Sequence, residues 1–264
     1  MNQAVIYLDA EYDNRARVPE HPAIMDGWAA DAAGYRAERP PLVLPYGAGE
    51  REKIDLFEAG PGPVVTFIHG GYWQALDRSW FSWTARGLNA RGVSVAVPSY
   101  DLCPSVPLAT IVDQMRAAAR TLHAYSEKPV VACGHSAGGH LAACLLSAER
   151  EAVAAAYAIS GLFELAPLVP TFVNKALGLD QTEAERLSPL LWEAPAGRTL
   201  DAVVGGDESG EYLRQSRAIV ERWGAAGARS RYEAVPGANH FTVIAPLADS
   251  GSAMVERLAA LAAA

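Results

Sequence analysis

Two kinds of apolar pattern alternate along the chain. Short, almost wholly apolar runs occur at Val64-Val65-Thr66-Phe67-Ile68, Val93-Ser94-Val95-Ala96-Val97 and Pro129-Val130-Val131-Ala132-Cys133. Runs of this length, apolar on both faces, fit strands covered on two sides. Between them lie longer stretches in which apolar residues recur three or four positions apart. The clearest spans 22–38, where Ile24, Trp28, Ala32 and Tyr35 share one helical face before Pro40-Pro41 ends the helix. The same spacing predicts helices over 78–91, 107–125, 137–148 and 211–224, and a last one ending near Leu261. Further strands are expected at 54–57, 154–159, 200–204 and 230–235.

Strands that alternate with helices imply right-handed βαβ units. The expected fold class is therefore α/β: one domain over 1–264, with a mostly parallel twisted sheet and helices on both faces. In such sheets ligands bind beyond the carboxyl ends of the strands, so chemistry belongs in the loops starting near 69, 98, 134, 160, 205 and 236. Residues 161–198 show no strand pattern. Leu162, Phe163, Leu165, Leu168, Phe172, Leu177 and Trp192 make them apolar. They read either as a small cap or lid insertion over that edge or as a helix pair packed on the core.

One of these loops carries a nucleophile motif. The strand at 129–133 runs into Gly134-His135-Ser136-Ala137-Gly138-Gly139 and then into an apolar helix. Glycines two residues either side of Ser136 let strand and helix approach closely, which exposes the hydroxyl on a strained turn. A serine hydroxyl needs an imidazole to take its proton and a carboxylate to orient that imidazole. His240 follows the last predicted strand and fits the base. His21, His123, His135 and His140 fit less well, His135 being expected to point away from Ser136, and His69 is read as bracing a glycine loop. The acid belongs after the preceding strand, where Asp207 and Glu208 are adjacent. Counting three residues from Gly205 favours Glu208, with Asp207 as the alternative; Glu211 reads as a helix-start residue. Donors for an oxyanion, worth about 3 kcal/mol each, are expected from Gly70 and Gly71 in His69-Gly70-Gly71-Tyr72-Trp73 and from the Ala137 N–H. Tyr72 and Trp73 are expected to wall the substrate pocket, and Trp80 and Trp83 to face the core.

Composition narrows the partners. The 264 residues are half apolar and carry a net charge of −8. Lysine occurs only at Lys53, Lys128 and Lys175, and no basic run interleaved with aromatics suggests nucleic acid. No segment approaches about 18 uninterrupted apolar residues, and no secretory pattern opens the chain, so the expectation is a cytoplasmic protein without a membrane partner. Cys133 and Cys144 read as buried thiols. No Cys-x-x-Cys or His-x-x-x-His spacing points to a metal, and no cofactor is expected.

With these residues in hand, the chain resembles the α/β-hydrolase superfamily over nearly its whole length. His69 to Trp73 beside Gly134–Gly139, Tyr100-Asp101-Leu102-Cys103-Pro104 and Arg214-Gln215-Ser216 are similar to the kynurenine formamidase branch, near the hormone-sensitive-lipase-like esterases. That resemblance implies a Ser136, Glu208, His240 triad, with Gly70, Gly71 and Ala137 as oxyanion donors. Glu208 is a departure, since aspartate is frequent there in the family. The implied activity is hydrolysis of a small acyl substrate through an acyl-enzyme, first an N-formyl aryl amide and alternatively a short-chain ester. A non-catalytic ligand-binding role is the contrasting reading, and a homodimer remains open.

Overall fold

The computed structural model describes residues 3–264, with no account of the side chains of the first two of these. Eight strands form one sheet: β1 (Leu42–Pro45), β2 (Lys53–Phe57), β3 (Val64–Ile68), β4 (Ser94–Pro98), β5 (Val130–His135), β6 (Val153–Ile159), β7 (Thr199–Gly205) and β8 (Arg229–Val235). Their order across the sheet is β1-β2-β4-β3-β5-β6-β7-β8. The β1–β2 and β2–β4 pairs are antiparallel and the remaining pairs are parallel. The carboxyl ends of β3, β5, β6, β7 and β8 therefore lie along one edge.

The helices are α1 (Gln3–Tyr12), α2 (Asn14–Arg17), α3 (His21–Glu38), α4 (Arg86–Asn89), α5 (Leu108–Ser126), α6 (Ala137–Ala148), α7 (Asn174–Leu177), α8 (Gln181–Arg186), α9 (Gly210–Ala225) and α10 (Ala253–Ala262). Two apolar cores show how they cover the sheet. One joins the buried faces of α5, α6 and α9, including Met115, Leu141, Ile219 and Trp223. The other joins α3 and α10 through Trp28, Tyr35, Val255 and Leu258. Buried acids within strands are neutralised locally. Asp55 in β2 pairs with Arg36 and Arg78, and Asp201 in β7 pairs with Arg257.

Three expectations change here. The helix expected over 78–91 is broken into short turns at Arg78–Trp80 and Ser82–Ala85, followed by α4. Phe81 interrupts it with φ −124° and ψ 13°, outside the helical region, and is fully buried, so its side chain enters the core instead of following the helical face. Trp83 is buried, whereas Trp80 is only partly so. Strand β1 and helices α1 and α2 had no predicted counterpart.

Candidate active site

Ser136 sits at the break between β5 and α6 with φ 57° and ψ −117°, a region non-glycine residues enter at a cost of about 1–3 kcal/mol. Its N–H donates to Ile159 O at 2.8 Å, which ties the turn to the end of β6. The turn needs its glycines. A Cβ on Gly138 would run into the Ile68 carbonyl of β3, and one on Gly134 would meet Gly138 itself.

His240 follows β8 on a turn held by Asn239, whose Oδ1 accepts the N–H groups of Phe241 at 2.9 Å and Thr242 at 3.0 Å. Its Nδ1 meets Glu208 Oε2 at 2.6 Å. The other carboxylate oxygen accepts from Gly205 N at 2.7 Å and from Ser160 Oγ at 2.5 Å. Glu208 is thus fixed by groups from β6, β7 and the β8 loop, and it is buried while Asp207 is exposed. Of the two adjacent acids, Glu208 meets the imidazole. A carboxylate on Nδ1 holds the proton there and leaves Nε2 free to accept one.

The loop after β3 lies against the serine, since a Cβ on Gly70 would fall 2.9 Å from Ser136 Cβ. The N–H groups of Gly70, Gly71 and Ala137 donate to no backbone or side-chain acceptor among the described residues. His69 braces this loop. Its Nδ1 bonds Gly70 O at 2.8 Å, its ring stacks on Tyr100 at 4.3 Å, and Tyr100 OH donates to His69 O. Burial holds His69 down at about 4, so it is neutral. Positive φ at Gly71, Tyr72 and Trp73 turns the chain sharply and sends the two aromatics in different directions. Tyr72 lines the pocket as expected. Trp73 does not: it is fully buried in the core, edge-on to His140 at 5.1 Å, because the loop conformation drives the indole under the sheet edge.

Ser136, His240, Gly70, Gly71 and Tyr72 open onto one pocket of about 320 Å³. Its walls are aromatic, built from Tyr12, Trp28, Tyr72, Phe81, Phe172 and Phe241. One side comes from the N-terminal segment, which also contributes Asp13, Asn14 and Arg15. That segment is held by polar contacts. Tyr12 OH donates to Glu211, the Glu211 N–H donates to Glu11, and Asp9 accepts from Phe172 N. Sequence reading missed this wall. Its available signals were Leu8 and Tyr12 one helical turn apart, then Asp13 as a cap accepting from Ala16 N. Ser160 was also missed, as was Tyr212, whose ring lies 4.7 Å from that of His240. Nothing in the pattern marks Ser160, whose φ is 50°.

His135 also departs from expectation. Its ring turns toward the site, 4.7 Å from that of His240, and its Nε2 donates to His240 O at 2.9 Å. Burial first, and the adjacent His240 second, hold it well below the ordinary histidine range, so it braces His240 as a neutral ring. In 161–198, Leu162, Phe163, Leu165 and Leu168 are fully buried in the core, and Phe172 reaches the pocket. Among the described residues no cluster of three or more His, Cys, Asp or Glu could hold a metal ion, and no helix is long and apolar enough to cross a membrane. Cys103, Cys133 and Cys144 are buried free thiols.

A β-sheet with a strained serine turn, a histidine–carboxylate pair and a glycine loop on one edge defines a hydrolase architecture. The chain belongs to the α/β-hydrolase fold family, whose sequence profile matches residues 65–244. Among individual relatives, it is 30% identical to a kynurenine formamidase of Danio rerio over 234 residues, covering 82% of this chain and 80% of that protein. A crystal structure from Silicibacter sp. TM1040, described as a candidate thioesterase, superposes with a TM-score of 0.87 at 34% identity, covering 97% of this chain and 99% of that one. The carboxylesterase EstE1, cloned from a metagenomic library, shares the fold at 16% identity with a TM-score of 0.74, covering 92% of this chain and 95% of that one. These relationships make the chain an enzyme of the hydrolase class.

Proposed function

We propose that this enzyme is a serine hydrolase that removes a small acyl group from an aromatic amine, with an N-formyl aryl amide of the N-formylkynurenine kind as its first substrate. The observation that carries the reading is the Glu208–His240 pair at 2.6 Å beside Ser136, with base and nucleophile on the same aromatic-walled pocket. His240 Nε2 takes the Ser136 proton as Oγ attacks the acyl carbon. The Gly70, Gly71 and Ala137 N–H groups receive the developing oxyanion. The imidazolium then protonates the leaving nitrogen, the C–N bond breaks, and an acyl-serine remains. Water, deprotonated by His240, attacks the acyl carbon, and Oγ leaves with the proton to restore the enzyme. Glu208 keeps the Nδ1 proton in place and offsets the imidazolium charge throughout.

The kynurenine formamidase relative and the aromatic pocket walls support an aryl amide. Exposed Arg15 at the rim, which makes no ion pair among the described residues, suits an anionic substituent on the leaving group. A second reading is hydrolysis of short esters or thioesters, favoured by the high similarity to the Silicibacter structure. Turnover of N-formylkynurenine against p-nitrophenyl acetate and butyrate, with Ser136→Ala as the zero, separates the two. Formamide turnover abolished in S136A is expected; turnover of esters alone assigns the enzyme to the esterases. A wild-type protein that neither turns over substrate nor labels with a fluorophosphonate would leave only a binding role.

A further inference from the structure

Asn14 is a buried amide on the pocket wall, at the start of α2, where Asp13 Oδ1 caps the turn by accepting from Ala16 N at 3.0 Å. Its Nδ2 lies 2.9 Å from Tyr212 OH and 3.5 Å from Tyr72 OH, and the two phenol oxygens are 2.8 Å apart. Counting hydrogens fixes which way the amide points. Burial raises both phenols well above their ordinary range, so each keeps its proton. Tyr72 OH donates to Tyr12 O at 2.6 Å, since a carbonyl can only accept. The contact between the two phenols then needs the Tyr212 proton, which leaves the Tyr212 oxygen to accept from Asn14 Nδ2. With the amide reversed, Oδ1 and the Tyr72 oxygen would compete for that one proton, and one close contact would hold none. The inward end of Asn14 is therefore its NH2 group and the other end its carbonyl oxygen. Oδ1 accepts from no group among the described residues and is not sealed from solvent. Because Asn14 lines the pocket, this oxygen is an acceptor open to whatever fills it.

We infer that Asn14 is a specificity-determining residue whose Oδ1 accepts the N–H of the scissile amide, which makes the substrate class a secondary aryl amide. The inference deepens the proposed amide hydrolysis and rests on it. Tyr212 ties Asn14 to His240: its hydroxyl holds Nδ2, and its ring lies 4.7 Å from the imidazole. The leaving nitrogen must reach His240 Nε2 to be protonated, so Asn14 stands on the side of the pocket where that nitrogen departs. As Oγ attacks, the Oγ–carbon bond forms and the Oγ proton passes to Nε2. The C–N bond then breaks with its electron pair going to nitrogen, which takes that proton from the imidazolium. The hydrogen already on nitrogen stays there and points at Oδ1; Asn14 transfers no proton. A hydrogen bond from a charged donor is about twice as strong as one from a neutral donor, so the contact strengthens as the nitrogen is protonated. An ester places an oxygen at the same point, and two acceptors then face each other with no hydrogen between them. A tertiary amide has no hydrogen to give.

Formanilide, N-methylformanilide and phenyl formate share one acyl group and one ring and differ at the scissile atom. The readout is the ratio of their kcat/KM values after subtraction of spontaneous hydrolysis. Wild type is expected to prefer formanilide over N-methylformanilide by at least about tenfold. Asn14→Ala is expected to lower that preference, and the ratio of formanilide to phenyl formate, about tenfold each. Asn14→Asp retains an acceptor and is expected to hold both ratios within about threefold of wild type. A merely structural role for Asn14 would slow all three substrates together and leave the ratios alone. Ratios in N14A within about twofold of wild type overturn the inference, as does a loss in N14D as large as that in N14A. If N14A loses its folded circular dichroism, the wild-type comparison of the two amides decides, and equal turnover of both overturns it. A wild type active on phenyl formate but inert to formanilide and N-formylkynurenine refutes the amide reading itself. A wild type active on formanilide whose ratios N14A does not move refutes the role of Asn14 alone.

Discussion

Glu208→Gln swaps one carboxylate oxygen for an NH2 group in a site where every position is already assigned. Glu208 Oε1 accepts from Gly205 N and Ser160 Oγ, and Oε2 accepts from His240 Nδ1. If the amide oxygen takes the Oε1 position, both of those donors stay satisfied and the NH2 group faces His240. The imidazole must then accept at Nδ1, its proton moves to Nε2, and it cannot take a proton from Ser136. If the amide is reversed, the His240 tautomer is correct but NH2 confronts the Gly205 N–H, a buried donor–donor conflict of about 1–3 kcal/mol. The fold therefore favours the inactive tautomer by about 5- to 150-fold, and even the active minority lacks the negative charge opposite the imidazolium. Together these effects lower kcat by about 10³–10⁴, or about 4–5.5 kcal/mol of barrier, with little change in stability. Steady-state kinetics on p-nitrophenyl acetate and a denaturant titration measure both quantities. Asp207→Asn, at an exposed side chain, is expected to change kcat by less than about twofold. E208Q retaining more than about a tenth of wild-type kcat, or D207N losing as much as E208Q, would refute the assignment of the acid.

Gly70→Ala puts a methyl 2.9 Å from Ser136 Cβ and 3.1 Å from His135 O, so the loop must retreat from the serine; kcat should fall by about 10²-fold with KM little changed, and a wild-type kcat would place the oxyanion donors elsewhere. Trp73→Ala opens a core cavity and should cost about 3–5 kcal/mol in urea titrations, whereas Phe172→Ala should raise KM without a comparable loss; the reverse outcome would return Trp73 to the pocket. His69, His135 and His140 are all depressed by burial, His69 and His140 to about 4. Unfolding lets each bind a proton below its ordinary value of about 6.5, so their contribution is complete above that pH and is lost as pH falls toward about 4. Denaturant titrations at pH 7, 6 and 5 should show stability falling with acid, and His140→Gln should reduce that slope by about one proton's worth; a slope unchanged in the variant would show that His140 does not contribute.

The sheet was legible because its strands are buried on both faces, so they stand out as apolar runs: β3, β4 and β5 appear within a residue or two of their expected limits. The placement of Ser136 and His240 followed from the same pattern, since a strand end fixes where its loop emerges. Glu208 came from a count along the chain, and what selects it over Asp207 is a set of bonds from Gly205, Ser160 and His240 that no local pattern displays. Trp73 was misplaced because alternation along an ordinary loop does not anticipate three consecutive residues with positive φ. The N-terminal wall was missed for another reason. Tyr12 and Asn14 are held by partners near residue 211, about 200 positions away, while α1 has little amphipathic signal and α2 is a single turn.

Strand β6 contributes no member of the expected triad, yet it determines how the members meet. It lies between β5, which ends at the serine turn, and β7, which ends before Glu208. Its last residue accepts the Ser136 N–H through Ile159 O, and the next residue, Ser160, bonds Glu208 through its side chain and Val203 O through its N–H. Ser136 and Glu208 are thus referenced to two adjacent residues at the end of one central strand. The longer reach of glutamate follows from this arrangement. The carboxylate must span from the Ser160 hydroxyl beyond β6 to the imidazole on the β8 loop, and it uses one oxygen for each. An aspartate at 208 would be shorter by one methylene and would have to give up one of these contacts unless the backbone after β7 moved inward. The glutamate at 208 and the strained φ of Ser160 are in this sense one structural solution, written at two positions 48 residues apart.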